Sequence, residues 1–212
     1  MATRVKICGI TSIEDAHHVA ASGADAIGLV FYEKSSRYVT LEQADKISRS
    51  LPPFVTTVAL FMNADETQVQ ETLNSVNIDL IQFHGAETPE FCRSFNKPYI
   101  KAVGIGGLDD FAEYADKYHD ALGILIDSHA LGKAGGTGET FDWQLLPKDY
   151  AKPIILAGGL TPDNVAEAVT ETNAYALDLS SGVESAPGIK SKEKVENLMQ
   201  AIRRADAALL LN

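Results

Sequence analysis

Positive charge is scarce in this sequence, which sets 18 Lys plus Arg against 29 Asp plus Glu for a formal net charge of −11 over 212 residues. An acidic surface repels phosphate backbones and anionic headgroups, and no dense Lys/Arg cluster interrupts it. Neither nucleic acid nor a membrane is therefore an expected partner. Cysteine is scarcer still, with only Cys8 and Cys92. Two cysteines without metal-ligand spacing build neither a disulfide framework nor a metal site, so both are expected as reduced thiols. No apolar run approaches the ~18 residues of a membrane-spanning helix. The first residues lack the apolar stretch of about 7–15 residues that marks a secretory signal, so a cytoplasmic protein is expected. Low-complexity tracts, coiled-coil heptads and a Pro/Gly/Ser linker are also missing, which favours one domain over residues 1–212.

What the sequence does have is an ordinary globular composition, 45% hydrophobic and 22% charged, with short apolar runs that recur along the chain. Most of the runs are closed by Gly, Asn, Asp or Ser and followed by a stretch of helical periodicity. The runs predict strands at Val5–Cys8, Ala26–Phe31, Thr56–Phe61, Leu80–Phe83, Tyr99–Val103, Gly123–Asp127, Ile154–Ala157 and Ala176–Leu179. Helices are predicted at Ile13–Ser22, Leu41–Ser50, Glu66–Val76, Thr88–Ser94, Leu108–Lys117, Asn164–Thr172 and Lys192–Leu210, with a short one around Asp142–Leu145. Ser12, Thr40, Asp65 and Asp163 supply helix-start signals, and Gly23 and Asn77 supply helix ends. Eight strand-helix units in a chain of this length fit an α/β fold in which eight parallel strands close into a single (β/α)8 barrel. The rival is a doubly wound open sheet, whose first turn carries a Gly-rich dinucleotide fingerprint. Here that turn reads Cys8, Gly9, Ile10, Thr11, and the fingerprint is absent.

A barrel of this kind carries its site at the C-terminal ends of the strands. Gly158 and Gly159 follow the seventh strand, and Ser180, Ser181 and Gly182 follow the eighth. These are the positions where the architecture binds phosphate, with glycine backbone N–H groups and small hydroxyls as donors. A tight turn is the plain alternative for either pair. Cys8 ends the first strand just before a helix, and alternation sets Lys6 on the same face, where a cation favours the thiolate. An inert buried thiol is the plainer reading. Asp127 closes the sixth strand, so its carboxyl emerges from apolar surroundings opposite Cys8 across the mouth. An acid and a base on opposite sides of one substrate suit proton-shuttling isomerisation, although Asp127 also suits a cap or a loop hydrogen bond. Arg37 has a planar fork suited to a carboxylate, or to a structural ion pair. His84, at the rim after strand four, is either a third titratable group or a satisfied histidine. Lys6 and Asp178, on the neighbouring first and last strands, are placed to neutralise one another. The glycine-rich loop Gly132–Gly138 lacks P-loop order and reads better as a lid over the mouth.

Motifs through almost the whole chain then resemble one family. K-I-C-G-I-T at Lys6–Thr11, S-S-R-Y-V at Ser35–Val39, I-Q-F-H-G at Ile81–Gly85, Asp127-Ser128, G-G-T-G-E-T-F-D-W at Gly135–Trp143, L-A-G-G-L at Leu156–Leu160, D-L-S-S-G-V-E at Asp178–Glu184 and P-G-I-K at Pro187–Lys190 are similar to those of the phosphoribosylanthranilate isomerases of tryptophan biosynthesis. Phe83 stands where a Leu is usual, and Ser191 where an Asp often follows the Lys. The resemblance implies a TIM barrel that performs an Amadori rearrangement of N-(5'-phosphoribosyl)anthranilate without metal or cofactor. It implies Asp127 as general acid, Cys8 as general base and Arg37 at the anthranilate carboxylate, with the loops after strands seven and eight at the phosphate. His84 is a further candidate for substrate contact. A different sugar-phosphate epimerase or isomerase, or a non-catalytic phosphate-binding barrel, would share the phosphate loops. The first would be expected to use another acid and base, and the second would lose the Cys8 and Asp127 pair. A small phosphorylated substrate is the expected partner, with the chain a monomer or a homodimer.

Overall fold

Eight parallel strands close in chain order, with the last hydrogen-bonded back to the first. They are β1 (Arg4–Cys8), β2 (Ala26–Val30), β3 (Thr56–Phe61), β4 (Leu80–Phe83), β5 (Tyr99–Gly106), β6 (Gly123–Ala130), β7 (Ile154–Leu156) and β8 (Ala176–Leu179). The computed structural model describes residues 2–106, 110–130, 143, 146, 147 and 150–211. The expected lid at 132–138 falls outside the described residues, as does the short helix around 142–145 apart from Trp143.

The helices of the outer layer are α1 (Ile13–Ser22), α2 (Leu41–Ser50), α3 (Glu66–Ser75), α4 (Pro89–Arg93), α5 (Phe111–Asp116), α6 (Val165–Thr172) and α7 (Lys192–Leu209). Local chemistry sets most of their ends. Ser12, Asp65 and Thr88 cap through side-chain oxygens, Thr40 and Gln43 form a reciprocal capping box, and Gly23 closes α1 in the left-handed conformation. Two of the expected end signals, Asp163 and Asn77, are not the caps. Asn164 rather than Asp163 sits at the N-cap of α6, where its Oδ1 accepts from the Thr161 amide at 2.8 Å. Helix α3 stops at Ser75 with Val76 extended, short of Asn77.

Pairing between β5 and β6 continues past the expected stops at Val103 and Asp127, through Gly104↔Asp127 and on to Gly106↔Ala130 across an irregularity. Asp127 therefore lies inside a strand rather than at its end. The polar residues Ser128 and His129 break the apolar pattern, so the sequence gives no sign of the extension. A two-stranded hairpin, β9 (Glu184–Ala186) with β10 (Ile189–Lys190), follows a 3-10 turn at Ser181–Val183 and is too short to leave a periodic signal.

Two apolar layers result. The larger packs the outward faces of the strands against the helices, with Ile7, Ile27, Phe61, Ile81, Phe83, Ile124 and Ile126 fully buried among them. The smaller plugs one side of the barrel with Ile100, Ala102, Leu125, Ile155, Ala157 and Ala176. Polar side chains also occupy the bore: Lys6, Gln82 and Asp178 are all buried. The C-terminal Leu210 and Leu211 stay exposed on this chain. Among the described residues no helix is long and apolar enough to cross a membrane.

Candidate active site

A cavity of about 310 Å³ opens at the C-terminal ends of the strands. Cys8, Arg37, His84, Asp127, Gly158, Gly159, Ser180, Ser181 and Gly182, drawn from six separate βα connections or strands, all line it. Chain distance gives no hint of this convergence; closure of the barrel brings it about.

Cys8 is the last residue of β1 and is 6% exposed. Its Sγ faces β2 so closely that a Cβ on Gly28 would lie 2.7 Å from it, which explains the glycine at that register position. Lys6, one turn of the pleat below, donates from Nζ to Asp178 Oδ1 at 2.8 Å across the β1–β8 seam. Burial works against the Lys6 ammonium, but Asp178 and Cys8 together more than offset it and hold the lysine charged. Burial pushes the Cys8 thiol above its ordinary value, and the cations Lys6 and Lys190 recover only part of that shift. The thiolate is thus less favoured than Lys6 and the adjoining helix suggest from sequence, because desolvation outweighs attraction at this depth.

On the other side of the cavity, Asp127 Oδ2 lies 3.6 Å from His84 Nε2. Burial draws the His84 imidazole below its ordinary value even though Asp127 opposes this, so the ring is neutral near pH 7. Its Nδ1 is 3.0 Å from Gln82 Nε2.

Gly158 and Gly159 both adopt positive φ, 89° and 64°, and turn the chain sharply after β7. Gly182 packs against the Leu160 carbonyl so closely that a Cβ there would collide with it. The β7 and β8 loops are therefore in direct backbone contact, which a side chain at Gly182 would force apart. The Ser180 hydroxyl donates to the Cys8 carbonyl at 3.1 Å, tying the β8 loop to the end of β1.

Arg37 also proves to be anchored. Its Nε and Nη2 each donate to a separate oxygen of Glu184 at 2.8 Å, and Lys190 Nζ donates to Glu184 Oε1 at 2.8 Å. Burial raises the Glu184 carboxyl, but Arg37 and Lys190 outweigh it and hold the group below the usual range. Reading of residue types missed Glu184, Lys190 and Gln82. The first two stand in the quoted motifs without a chemical reason visible along the chain. Gln82 does carry a signal, as a lone amide at an inward position of an apolar strand.

The family model for N-(5'-phosphoribosyl)anthranilate (PRA) isomerase matches residues 5–201. The chain belongs to that family. A phosphoribosylanthranilate isomerase of Pseudomonas syringae pv. tomato is 54% identical over 201 residues, covering 95% of this chain and 98% of its relative. The crystal structure of the Thermotoga maritima isomerase superposes with a TM-score of 0.86 at 40% identity, covering 95% of this chain and 99% of that one. Another isomerase, crystallised in complex with reduced 1-(o-carboxyphenylamino)-1-deoxyribulose 5-phosphate, superposes with a TM-score of 0.84 at 39% identity, with the same coverage of both chains. The phosphoribosylanthranilate isomerase family is thus represented here with its barrel closed and with its Lys6–Thr11, Ile81–Gly85 and Asp178–Glu184 motifs around one cavity.

Proposed function

We propose that this cavity converts N-(5'-phosphoribosyl)anthranilate to 1-(2-carboxyphenylamino)-1-deoxyribulose 5-phosphate, as a cytoplasmic step of tryptophan biosynthesis carried by one (β/α)8 domain. The observation that carries the reading is that Cys8 of β1 and Asp127 of β6, three strands apart around the closed barrel, line one cavity together with the glycine-containing loops after β7 and β8. Asp127 protonates the furanose ring oxygen, and the C1–O bond breaks to give a ring-opened protonated imine. The Cys8 thiolate then removes the C2 proton, and the electron pair neutralises the iminium to leave an enol. That enol tautomerises to the ketone as a proton returns to C1, so nothing is gained or lost overall. No external oxidant is needed, because C1 is reduced as C2 is oxidised. His84 Nε2, facing Asp127, supports the carboxylate that remains after the first proton transfer.

Recognition of the two anionic ends is local, since the global charge repels both. Gly158, Gly159, Ser181 and Gly182 offer backbone donors to the phosphate, and Arg37, its Nε and Nη2 held by Glu184, presents its remaining Nη1/Nη2 edge to the carboxylate. The test supplies phosphoribosylanthranilate and follows the loss of anthranilate-type fluorescence. Turnover is expected in the wild type and is expected to fall ~10²-fold or more in Cys8→Ala and in Asp127→Ala, the usual worth of a general acid or base. Near-wild-type turnover in either variant removes that residue's role.

A further inference from the structure

Among the described residues, Gln82 is the one wholly buried amide in the wall of the cavity, at 0% exposure. It lies on β4 in register with Leu60 of β3 and Ile100 of β5. Its strand neighbours Ile81 and Phe83 point outward into the helix-facing core, so Gln82 points into the bore. An apolar residue would fill that position at less cost, since burying an amide without full hydrogen bonding is unfavourable. Only half of the amide is satisfied. Nε2 is 3.0 Å from His84 Nδ1, whereas Oε1 has no hydrogen-bond partner among the described residues.

The two halves have separate consequences. An amide nitrogen only donates, so Nδ1 of the neutral His84 accepts and the ring proton sits on Nε2, facing Asp127 Oδ2. That tautomer suits a carboxylate partner. The unpaired Oε1 only accepts, and so calls for a donor from whatever fills the cavity. Phosphate and carboxylate, the two charged ends of the substrate in the reading above, are acceptors when ionised and cannot satisfy it. The hydroxyls of the sugar between them can.

We propose that Gln82 is a substrate-binding residue whose Oε1 accepts a hydrogen bond from a sugar hydroxyl, while its NH2 group fixes His84 in the tautomer that donates toward Asp127. This rests on the isomerase reading of the cavity, and the experiment separates the two. Failure of the wild type to turn over phosphoribosylanthranilate sinks the isomerase reading. Failure of the Gln82 proposal appears instead as an active wild type with the pattern below missing.

In Gln82→Met, which keeps length and volume but no polar atoms, inhibition by reduced 1-(o-carboxyphenylamino)-1-deoxyribulose 5-phosphate is expected to weaken about tenfold, the worth of one well-placed hydrogen bond. Inhibition by inorganic phosphate, which does not reach Gln82, stays unchanged. Nitrogen NMR of His84 is expected to move from a single Nε2–H form toward a mixture of tautomers. Parallel weakening by both inhibitors together with a lower unfolding midpoint, or no weakening by either, overturns the proposal. Gln82→Glu keeps an acceptor toward the cavity but places a carboxylate against Nδ1. It should retain analogue affinity within about threefold while His84 switches its proton to Nδ1 and the pH profile of turnover shifts. Loss of analogue affinity equal to that of the Met variant counts against Oε1 as the acceptor. Labelled wild-type enzyme provides a reading free of folding effects. The Gln82 side-chain carbonyl carbon resonance is expected to move with the analogue and not with phosphate, and a resonance that ignores both rejects the contact.

Discussion

Arg37 and Glu184, 147 residues apart in sequence, are joined by two parallel hydrogen bonds of 2.8 Å each. This fork-to-fork geometry fixes the plane of the guanidinium before any substrate arrives, so little side-chain freedom remains to be lost on binding. Glu184 in turn is shared with Lys190, which also reaches the Ser180 carbonyl at 3.3 Å. The loop after β2, the turn after β8 and the β9–β10 hairpin are thereby tied into one rim.

Glu184→Gln keeps the shape of the side chain and removes the charge that orients Arg37. KM for phosphoribosylanthranilate is expected to rise roughly tenfold with a smaller change in kcat, as for loss of one charge-assisted contact of about 1.4 kcal/mol. Steady-state kinetics check this; a fall in kcat at constant KM would mean that Arg37 does not hold the substrate's carboxylate.

The pH dependence follows from the Cys8 thiol. A general base works only when deprotonated, and burial has raised this group, so kcat/KM is expected to increase with pH through and above the ordinary thiol value of about 8.5. Removing the pair beneath it by Lys6→Met with Asp178→Asn takes away a cation that lowers the thiol and an anion that raises it, the cation being the larger influence. The limb should then move further toward alkaline pH. A pH–rate profile measured on both proteins decides, and a limb that shifts toward acid contradicts the assignment.

Gly28→Ala introduces a methyl group 2.7 Å from Cys8 Sγ and 3.0 Å from Cys8 Cα. The thiol must move, while the loops proposed to hold phosphate and carboxylate lie elsewhere. A displacement near 1 Å costs roughly 10²-fold in rate, so kcat should fall by about that factor with KM nearly unchanged. Unaltered kcat would separate Cys8 from the chemistry.

Lys101 and Glu87 form a second buried pair, 3.1 Å apart, behind the end of β4. Lys101 Nζ also binds the carbonyls of Phe83 and Gly85, the residues flanking His84, at 3.3 and 2.6 Å. Lys101→Met leaves the Glu87 charge buried without its cation and should cost about 3–5 kcal/mol of stability by urea unfolding. Adding Glu87→Gln should recover part of that loss. A single variant as stable as the wild type would show that the cation is dispensable.

Most of the architecture was readable along the chain because it rests on short-range physics. Strands buried on both faces leave continuous apolar runs, as at Ala26–Val30 and Ile154–Leu156, and caps such as Ser12, Thr40 and Gly23 act within one turn of the residues they serve. Where two elements interact over a longer stretch the reading stopped early. β6 runs beyond Asp127 because β5 pairs with it there, and no local pattern records a neighbour's hydrogen bonds.

By itself, then, the sequence determined the eightfold alternation, the closed barrel and the residue types at the strand ends, together with motifs sufficient to recognise the family. Only the tertiary structure decided which groups act on which. It seated Arg37 on Glu184, turned the Ser180 hydroxyl to Cys8, raised the Cys8 thiol by burial and left Gln82 Oε1 unpaired in the cavity wall. The physical reason is that periodicity and capping depend on residues a few positions apart. Hydrogen-bond partners and desolvation depend on what lies within a few ångströms after the barrel has closed, and here those neighbours come from opposite ends of the chain.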